Sequence, residues 1–253
     1  MFPLDEVAMA KVLAWDLGEQ RSLSLRHALI HRTPGLLGDH PRSPKSVLLV
    51  CENPPPDDWH IYGAGMAEPA IGWLARCTNR FALIAPESWE GAIRKRSISI
   101  SKGVVETWVR DPSISLFDVQ SLAVTTRLLN ENDVRSFELA APEWALRGWR
   151  TYRDLIREGL AVGVPMREGG FASVAWIFES DDRHDALAVA TLPRFQRLGL
   201  GRSAAANLID QVESVRKRTP VWTVNAQNLP SRALARSLGF SPRSRESVLR
   251  WSA

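Results

Sequence analysis

Hydrophobic positions along this chain fall into two alternating rhythms, one with the 3.6-residue spacing of a helix and one with the unbroken or two-residue spacing of a strand. Near the start, Leu4, Val7, Ala8 and Val12 share a helical face, and a second helical run from Ser22 to Ile30 closes in the turn TPGLLG. After GDHPRSPKS, the stretch SVLLVC reads as a short buried strand. NPPPDD is a rigid polar turn, unsuited to a helix or a central strand. WHIYG is expected as a strand, EPAIGWLARC as a helix with Pro69 near its start, FALIAP as a strand, ESWEGAIRKR as a helix and VVETWV as a strand. The first half is therefore alternating α/β, and it carries no catalytic motif.

Pro and Ser interrupt the pattern in DPSISLFD, from residue 111, and a new unit begins there. AVTTRLL alternates as a strand, and NENDVRSFELA starts a helix with Asn and Asp as cap candidates. PEWALRGWRTYRDLIREG has the pattern of an amphipathic helix closed by Gly159. LAVGVPM, FASVAWIFES and HDALAVATL follow as three strands, joined by a Gly-Gly hairpin turn and the acidic turn DDR. GRSAAANLIDQVESVRKR is a helix of about five turns. PVWTVNA is a strand, LPSRALARSLGF a helix with Gly239 as C-cap, and ESVLRW a final strand. The second half thus reads β-α-α-β-β-β-α-β-α-β. The expected organisation is an N-terminal α/β domain over 1–118 and a second α/β (α+β) domain over 119–253. No sequence repeat links the halves, although two units of similar size could be remote copies.

With 253 residues and 45% hydrophobic content, the chain can bury one large core or two modest ones. The start, MFPLDEVAMAK, has no basic leader, and no apolar run approaches the ~18 residues of a membrane span, so a cytoplasmic protein without membrane contact is expected. Cys51 and Cys77 lack metal-ligand spacing, and His27, His31, His40 and His60 share none, so no metal is expected. The pI near 9.4 suggests nucleic acid at first sight. Of 32 Lys+Arg and 28 Asp+Glu, however, residues 1–118 hold 13 and 14, leaving 19 and 14 for the rest. That modest excess is scattered, and a small anionic ligand accounts for it as well as nucleic acid does.

The candidate chemistry lies in LAVATLPRFQRLGLGRSAAANLI, residues 187–209, where a strand leads into two glycines and a strong helix. A helix N-terminus offers unpaired N–H groups and a positive dipole end, which attract phosphate. Close approach of a phosphate to the main chain calls for positions without Cβ, and Gly199 and Gly201 supply them. Gln196, Arg197 and Arg202 add donors around the same point, and several donors together suit a diphosphate. The third glycine of a dinucleotide fingerprint and the Lys of a Walker loop are both missing. A surface turn capping a helix is the plain alternative.

The Q-x-x-G-x-G pattern of Gln196–Gly201 resembles the coenzyme A diphosphate loop of the GNAT superfamily of N-acetyltransferases. Downstream, NAQNLPSRALARSLGF (Asn225–Phe240) resembles that superfamily's second hallmark, the helix beside the pantetheine arm. The resemblance covers residues 119–253, and AVATLP, TPVW and WHIYGAGMAEP extend it to the bacterial GNAT group with an extra N-terminal α/β domain. It implies a central mixed twisted sheet flanked by helices, with the N-terminal domain as a degenerate GNAT-like half. It also implies transfer of an acetyl group from acetyl-CoA to a primary amine of a small molecule or peptide, through a tetrahedral intermediate.

By the same resemblance, Val189, Ala190 and Thr191 would pair their main chain with pantetheine, and an N–H near Val189 would donate to the thioester carbonyl. Gln196, Arg197, Leu198, Gly199, Leu200, Gly201 and Arg202 would hold the diphosphate, and Asn228 and Ser231 would contact the pantetheine arm. Plain helix capping is the other reading of Asn228. Asp185 falls where many family members place a carboxylate base, with His184 as a substitute; a solvated acidic turn is the alternative. The Tyr that often protonates the departing sulfur is replaced by Ala235, and Tyr152 is expected as a half-buried packing residue. Most of the ten Trp are expected in the core, while Trp144 and Trp149 would border the acceptor groove. A non-catalytic acyl-CoA-binding module and a basic nucleic-acid binder stay open as rivals.

Overall fold

The computed structural model of the chain describes residues 1–15, 19–52, 59–77, 79–95, 100–116 and 124–251. Two compact units are present, one of Met1–Val105 with Arg245–Ala253 and one of Glu106–Ser244. The boundary expected at residue 118 and the NPPPDD turn lie outside the described residues.

The first unit runs β1 (Phe2–Pro3), α1 (Glu6–Leu13), α2 (Glu19–His31), β2 (Leu36–Gly38), β3 (Ser46–Cys51), β4 (Trp59–Gly65), α3 (Ala67–Leu74), β5 (Phe81–Ile84), α4 (Ser88–Arg94) and the start of β6 (Ile100–Arg110). Helix α1 begins where the Asp5 side chain accepts the Ala8 N–H at 2.9 Å, and it buries Ala8 and Val12, one turn apart. SVLLVC is apolar without alternation because both of its faces are covered. Val47 and Leu49 share a core with Leu25, Ala28 and Leu29 of α2. Leu48 and Val50 share another with Ala70, Ile71 and Leu74 of α3. β2, β3 and β4 are antiparallel neighbours, and β4 pairs β5 in parallel from Trp59↔Phe81 to Tyr62↔Ile84.

The second unit continues with β7 (Arg127–Leu128), α5 (Val134–Ala140), α6 (Tyr152–Asp154), β8 (Ala161–Pro165), β9 (Phe171–Ser180), β10 (His184–Thr191), α7 (Leu200–Asp210), β11 (Thr219–Asn225), α8 (Leu229–Ser237) and β12 (Phe240–Trp251). Its strands lie in the order β7-β8-β9-β10-β11-β6-β12. Asn130 opens the turn before α5, accepting the Asn132 N–H while Asp133 accepts the Asn130 N–H, as the NEND signal suggests. All ten residues of β9 are buried, and α7 buries Ala204, Ala205, Leu208 and Ile209.

Two expectations change. The helix expected over PEWALRGWRTYRDLIREG is broken into a tight turn at Glu143–Leu146, α6, and a wide turn at Leu155–Gly159. Gly148 takes φ 85°, outside the helical region, and Thr151 restarts the chain as the N-cap of α6. The AVTTRLL strand is only Arg127–Leu128 among the described residues.

The units share an order of elements. β2-β3-β4-α3-β5-α4 in the first matches β8-β9-β10-α7-β11-α8 in the second, with the same sequence of antiparallel, antiparallel and parallel pairings.

Candidate functional site

β10 is paired along its length on one side only. It meets β9 antiparallel from Asp185↔Ser180 to Thr191↔Ser173, with a register shift between Ala186 and Leu187. It meets β11 in parallel for just three residues, His184↔Thr219 to Ala186↔Val221. Beyond Ala186 the two strands part, leaving an open edge on β10 among the described residues. Burial loosens along the same path, complete from Asp185 to Ala188 and partial from Val189 to Thr191.

Peptide geometry decides which groups face that edge. The Leu192 N–H donates to the Ala172 carbonyl at 3.0 Å, so the carbonyl of Thr191, on the other side of the same trans peptide, points away from β9. By strand alternation Val189 and Thr191 face the open edge, while Ala190 faces β9, its carbonyl accepting from the Ser173 hydroxyl at 2.9 Å. Gln196 turns back to donate its side-chain amide to the Thr191 carbonyl at 3.3 Å. Gln196 therefore closes the loop onto the strand, and Ala190 offers no main-chain group to the edge.

The edge ends at the first turn of α7. Arg197 and Gly199 both take left-handed backbone (φ 65° and 78°), which turns the chain into the helix, and no side chain caps that helix. The amides of Leu200, Gly201 and Arg202 are first-turn donors without intrahelical partners. The two glycines differ in purpose. A Cβ at Gly201 would lie 3.0 Å from Thr191 Oγ1 and 3.2 Å from Val189 Cγ1, so this glycine lets the helix pack against the strand end. This packing demand on Gly201 stands beside the expected approach of a ligand to its main chain. Arg202 reaches the Ser237 carbonyl at 3.4 Å, tying α7 to the end of α8. Arg197 and Leu198 are exposed.

Across the wedge that opens where β10 and β11 part, Asn228 is the N-cap of α8, accepting the Ser231 N–H at 3.2 Å, so the capping reading of this residue holds. The Ser231 hydroxyl accepts from the indole of buried Trp222 on β11 at 3.0 Å. Arg232 braces this turn from behind: its guanidinium donates to the Ala226 carbonyl and lies 3.1 Å from Glu106, which is fully buried on β6. Sequence reading missed Trp222, Ser173 and Glu106. A glutamate inside the β-forming run VVETWV was the one available signal. Ala235 is fully buried.

The structure removes Asp185 as a base. Its carboxylate has no exposure and is held by Arg216 at 2.6 Å and Arg218 at 3.1 Å, a buried ion pair that also includes Ser180. His184 turns to Asp181, its Nδ1 3.2 Å from Oδ1. The hydrogen bond to Asp181 raises the His184 pKa against the effect of burial. Burial pushes the Asp181 carboxyl up, but bonds from the His184 ring and the Arg183 and His184 amides outweigh it and leave it below its ordinary value. His184 opens β10, about 16 Å of strand from Val189, and Asp181 lies in the turn before it.

Of the two tryptophans expected near an acceptor groove, Trp149 is core: it is buried, donates to the Ile177 carbonyl at 3.1 Å and lies against Gly159. Trp144 is half-buried and meets Trp176 and Phe178 at centroid distances of 5.5 and 5.9 Å. Burial raises the Tyr152 pKa, helped by the nearby charges of Glu138 and Glu143. Among the described residues, no group of His, Cys, Asp and Glu could hold a metal, and no helix is long and apolar enough to cross a membrane.

Residues 161–249 match the family model described as FR47-like protein. A GCN5-related N-acetyltransferase-like protein from Streptococcus suis is similar over 96% of this chain and 98% of its own, with 19% identity and a TM-score of 0.72. A GCN5-related N-acetyltransferase from Kribbella flavida covers 92% and 93% at 18% identity and TM-score 0.57. A tandem GNAT protein from the clavulanic acid biosynthesis pathway covers 97% and 92% at 12% identity and TM-score 0.57. No curated protein matches.

Proposed function

We propose that this chain, which has the two-unit fold of the GNAT superfamily, transfers an acetyl group from acetyl-CoA to an amine. The observation that carries the reading is the open edge of β10, which presents Val189 and Thr191 main-chain groups and runs into the uncapped first turn of α7. An extended amide-bearing arm pairs with such an edge as an added strand would, and a diphosphate suits the amides at its end. Acetyl-CoA supplies an activated thioester.

Each residue then has a limited task. Val189 N–H and C=O and Thr191 N–H face the arm, and the Val189 N–H is the donor for the thioester carbonyl. The amides of Leu200, Gly201 and Arg202 and the exposed Arg197 hold the diphosphate, each helix-end contact contributing about 0.3–2 kcal/mol. Gln196 and Gly199 shape the loop, while Asn228, Ser231 and Trp222 hold the opposite wall. With Asp185 locked in its ion pair, the amine gives its proton to water. With Ala235 in place of a Tyr, the sulfur leaves as thiolate, forgoing roughly 2 kcal/mol of assistance for a thiol of pKa ~8.5.

Those last two features also favour a second reading, a module that binds acyl-CoA without turning it over. Calorimetry with acetyl-CoA, followed by a thiol-release screen over polyamines, aminoglycosides, amino acids and peptides, separates the two. Binding with amine-dependent thiol release supports transfer. Binding with no release leaves the second reading, and absence of binding removes both. The basic nucleic-acid rival predicts a salt-dependent shift with DNA instead.

A further inference from the structure

We infer that the first unit contains a closed copy of this wedge, filled by the indole of Trp89, so that the chain has a single cofactor site, in the second unit. The single-site count rests on the function proposed above; the filling of the copy does not.

Strand registers locate the copy. Leu48↔Gly63 and Ser46↔Gly65 on β3 and β4 correspond to Ala175↔Val189 and Ser173↔Thr191 on β9 and β10. The parallel ladder of β4 with β5 stops at Tyr62↔Ile84, and β4 runs on to Gly65, as β10 runs on past β11. The Met66 N–H donates to the Lys45 carbonyl at 2.8 Å, so the Gly65 carbonyl points away from β3, as that of Thr191 points away from β9.

In the first unit Trp89 takes that position. Its Nε1 donates to the Gly65 carbonyl at 2.9 Å, the role the Gln196 amide plays at Thr191. Its ring lies flush on the strand: a Cβ at Gly63 would be 2.7 Å from Trp89 Cζ3. Trp89 itself is fully buried. Val189 faces Gly201 of α7, whereas Gly63 faces Trp89 of α4, the counterpart of α8, so the copy is filled from the other helix of the pair. The anion-binding turn is lost as well, since α3 starts at Ala67, two residues after β4 ends, while residues 192–199 separate β10 from α7.

Titration of coenzyme A into the full-length chain, followed by calorimetry, native mass spectrometry and indole N–H resonances, tests this. One site is expected, the Trp222 N–H resonance should move, and the Trp89 N–H should stay unmoved and slow to exchange. Gly201→Val should weaken that site at least about tenfold, the equivalent of 1.4 kcal/mol. Trp89→Phe, which keeps a ring in place and assigns the resonance, should leave it unchanged. Two sites, or one site that moves Trp89 and ignores Gly201→Val, overturn the inference. No site at all would remove the functional reading, and a second arm still decides the filling. Trp89→Gly should be stabilised by added free indole and the wild type should not; a Trp89→Gly protein that folds and ignores indole, or a fast-exchanging Trp89 N–H in the wild type, overturns it.

Discussion

Gly201→Ala sets two effects of similar size against each other. A methyl group improves helix propensity over glycine by about 0.8–1 kcal/mol in a helix interior, which is an upper bound for the second residue of α7. Gly201 has ordinary helical backbone, so no strain complicates that gain. The same methyl would lie 3.0 Å from Thr191 Oγ1 and 3.2 Å from Val189 Cγ1. Over-packing of this kind costs about 1–3 kcal/mol. Thr191 does not swing away freely, because its hydroxyl shares a 2.8 Å hydrogen bond with Ser173, whose own hydroxyl also holds the Ala190 carbonyl. We expect a net loss of about 1–2 kcal/mol in urea unfolding, together with weaker coenzyme A binding as the helix start moves off the strand. A double-mutant cycle isolates the cause. In a Thr191→Ala background the 3.0 Å contact is relieved while the 3.2 Å contact with Val189 Cγ1 stays, so the penalty should shrink by about 0.5–1.5 kcal/mol, at or beyond the ~0.5 kcal/mol scatter of independent sites. Additive effects of the two substitutions would refute the packing account and return Gly201 to a role in ligand approach alone.

Asp185→Asn should cost about 3–5 kcal/mol of stability by leaving the Arg216 and Arg218 guanidiniums against a neutral group, while the pH profile of thiol release by the folded protein keeps its shape; a stable variant whose profile loses an ionisation would restore Asp185 as a base. His184 has a raised pKa in the fold, so its contribution is complete below the unfolded value of about 6.5 and is lost as pH rises through the folded value. Asp181 is lowered, so its contribution is present above about 3.9 and is lost as pH falls through its folded value. The pair therefore stabilises most between about pH 4 and 6.5. Because the His184 side chain is 42% exposed, the effect should be only about 0.2–1 kcal/mol. His184→Gln should remove it at pH 5.5 and change little at pH 8.5, and equal losses at both values would count against it. Trp222→Phe deletes the donor to Ser231 and should cost about 0.5–1.5 kcal/mol and weaken coenzyme A binding; unchanged affinity would show that Ser231 needs no such support.

What the sequence made legible was local. The NEND cap, the Gly-Gly hairpin and the unbroken strand FASVAWIFES each obey a rule contained within a few residues, and each stands where the pattern puts it. Illegible features are those whose partner lies far along the chain. Asp185 looks like a solvated turn residue until Arg216 and Arg218, 31 and 33 positions later, close over it. The helix pattern of residues 142–159 persists on paper because Trp149 is apolar whichever backbone carries it; its burial against Gly159 and Ile177 fixes the break.

The two glycines of LGLG show the same division inside one motif. Gly199 answers a local demand, a left-handed φ of 78° at the helix start in place of the extended backbone usual at an N-cap. Gly201 answers a distant one, the volume of Thr191 and Val189 on another element. A pattern match scores them alike, yet their failures should differ in kind: a side chain at 199 perturbs the backbone that presents the amides, and one at 201 displaces the whole helix from its strand. The first unit shows a further route, from the other helix: Gly63 on the strand leaves room for Trp89 of α4, the counterpart of α8, whose indole donates to the Gly65 carbonyl while the order of elements stays the same. Filling of such a wedge therefore requires no change of topology, only one large side chain set against one small one.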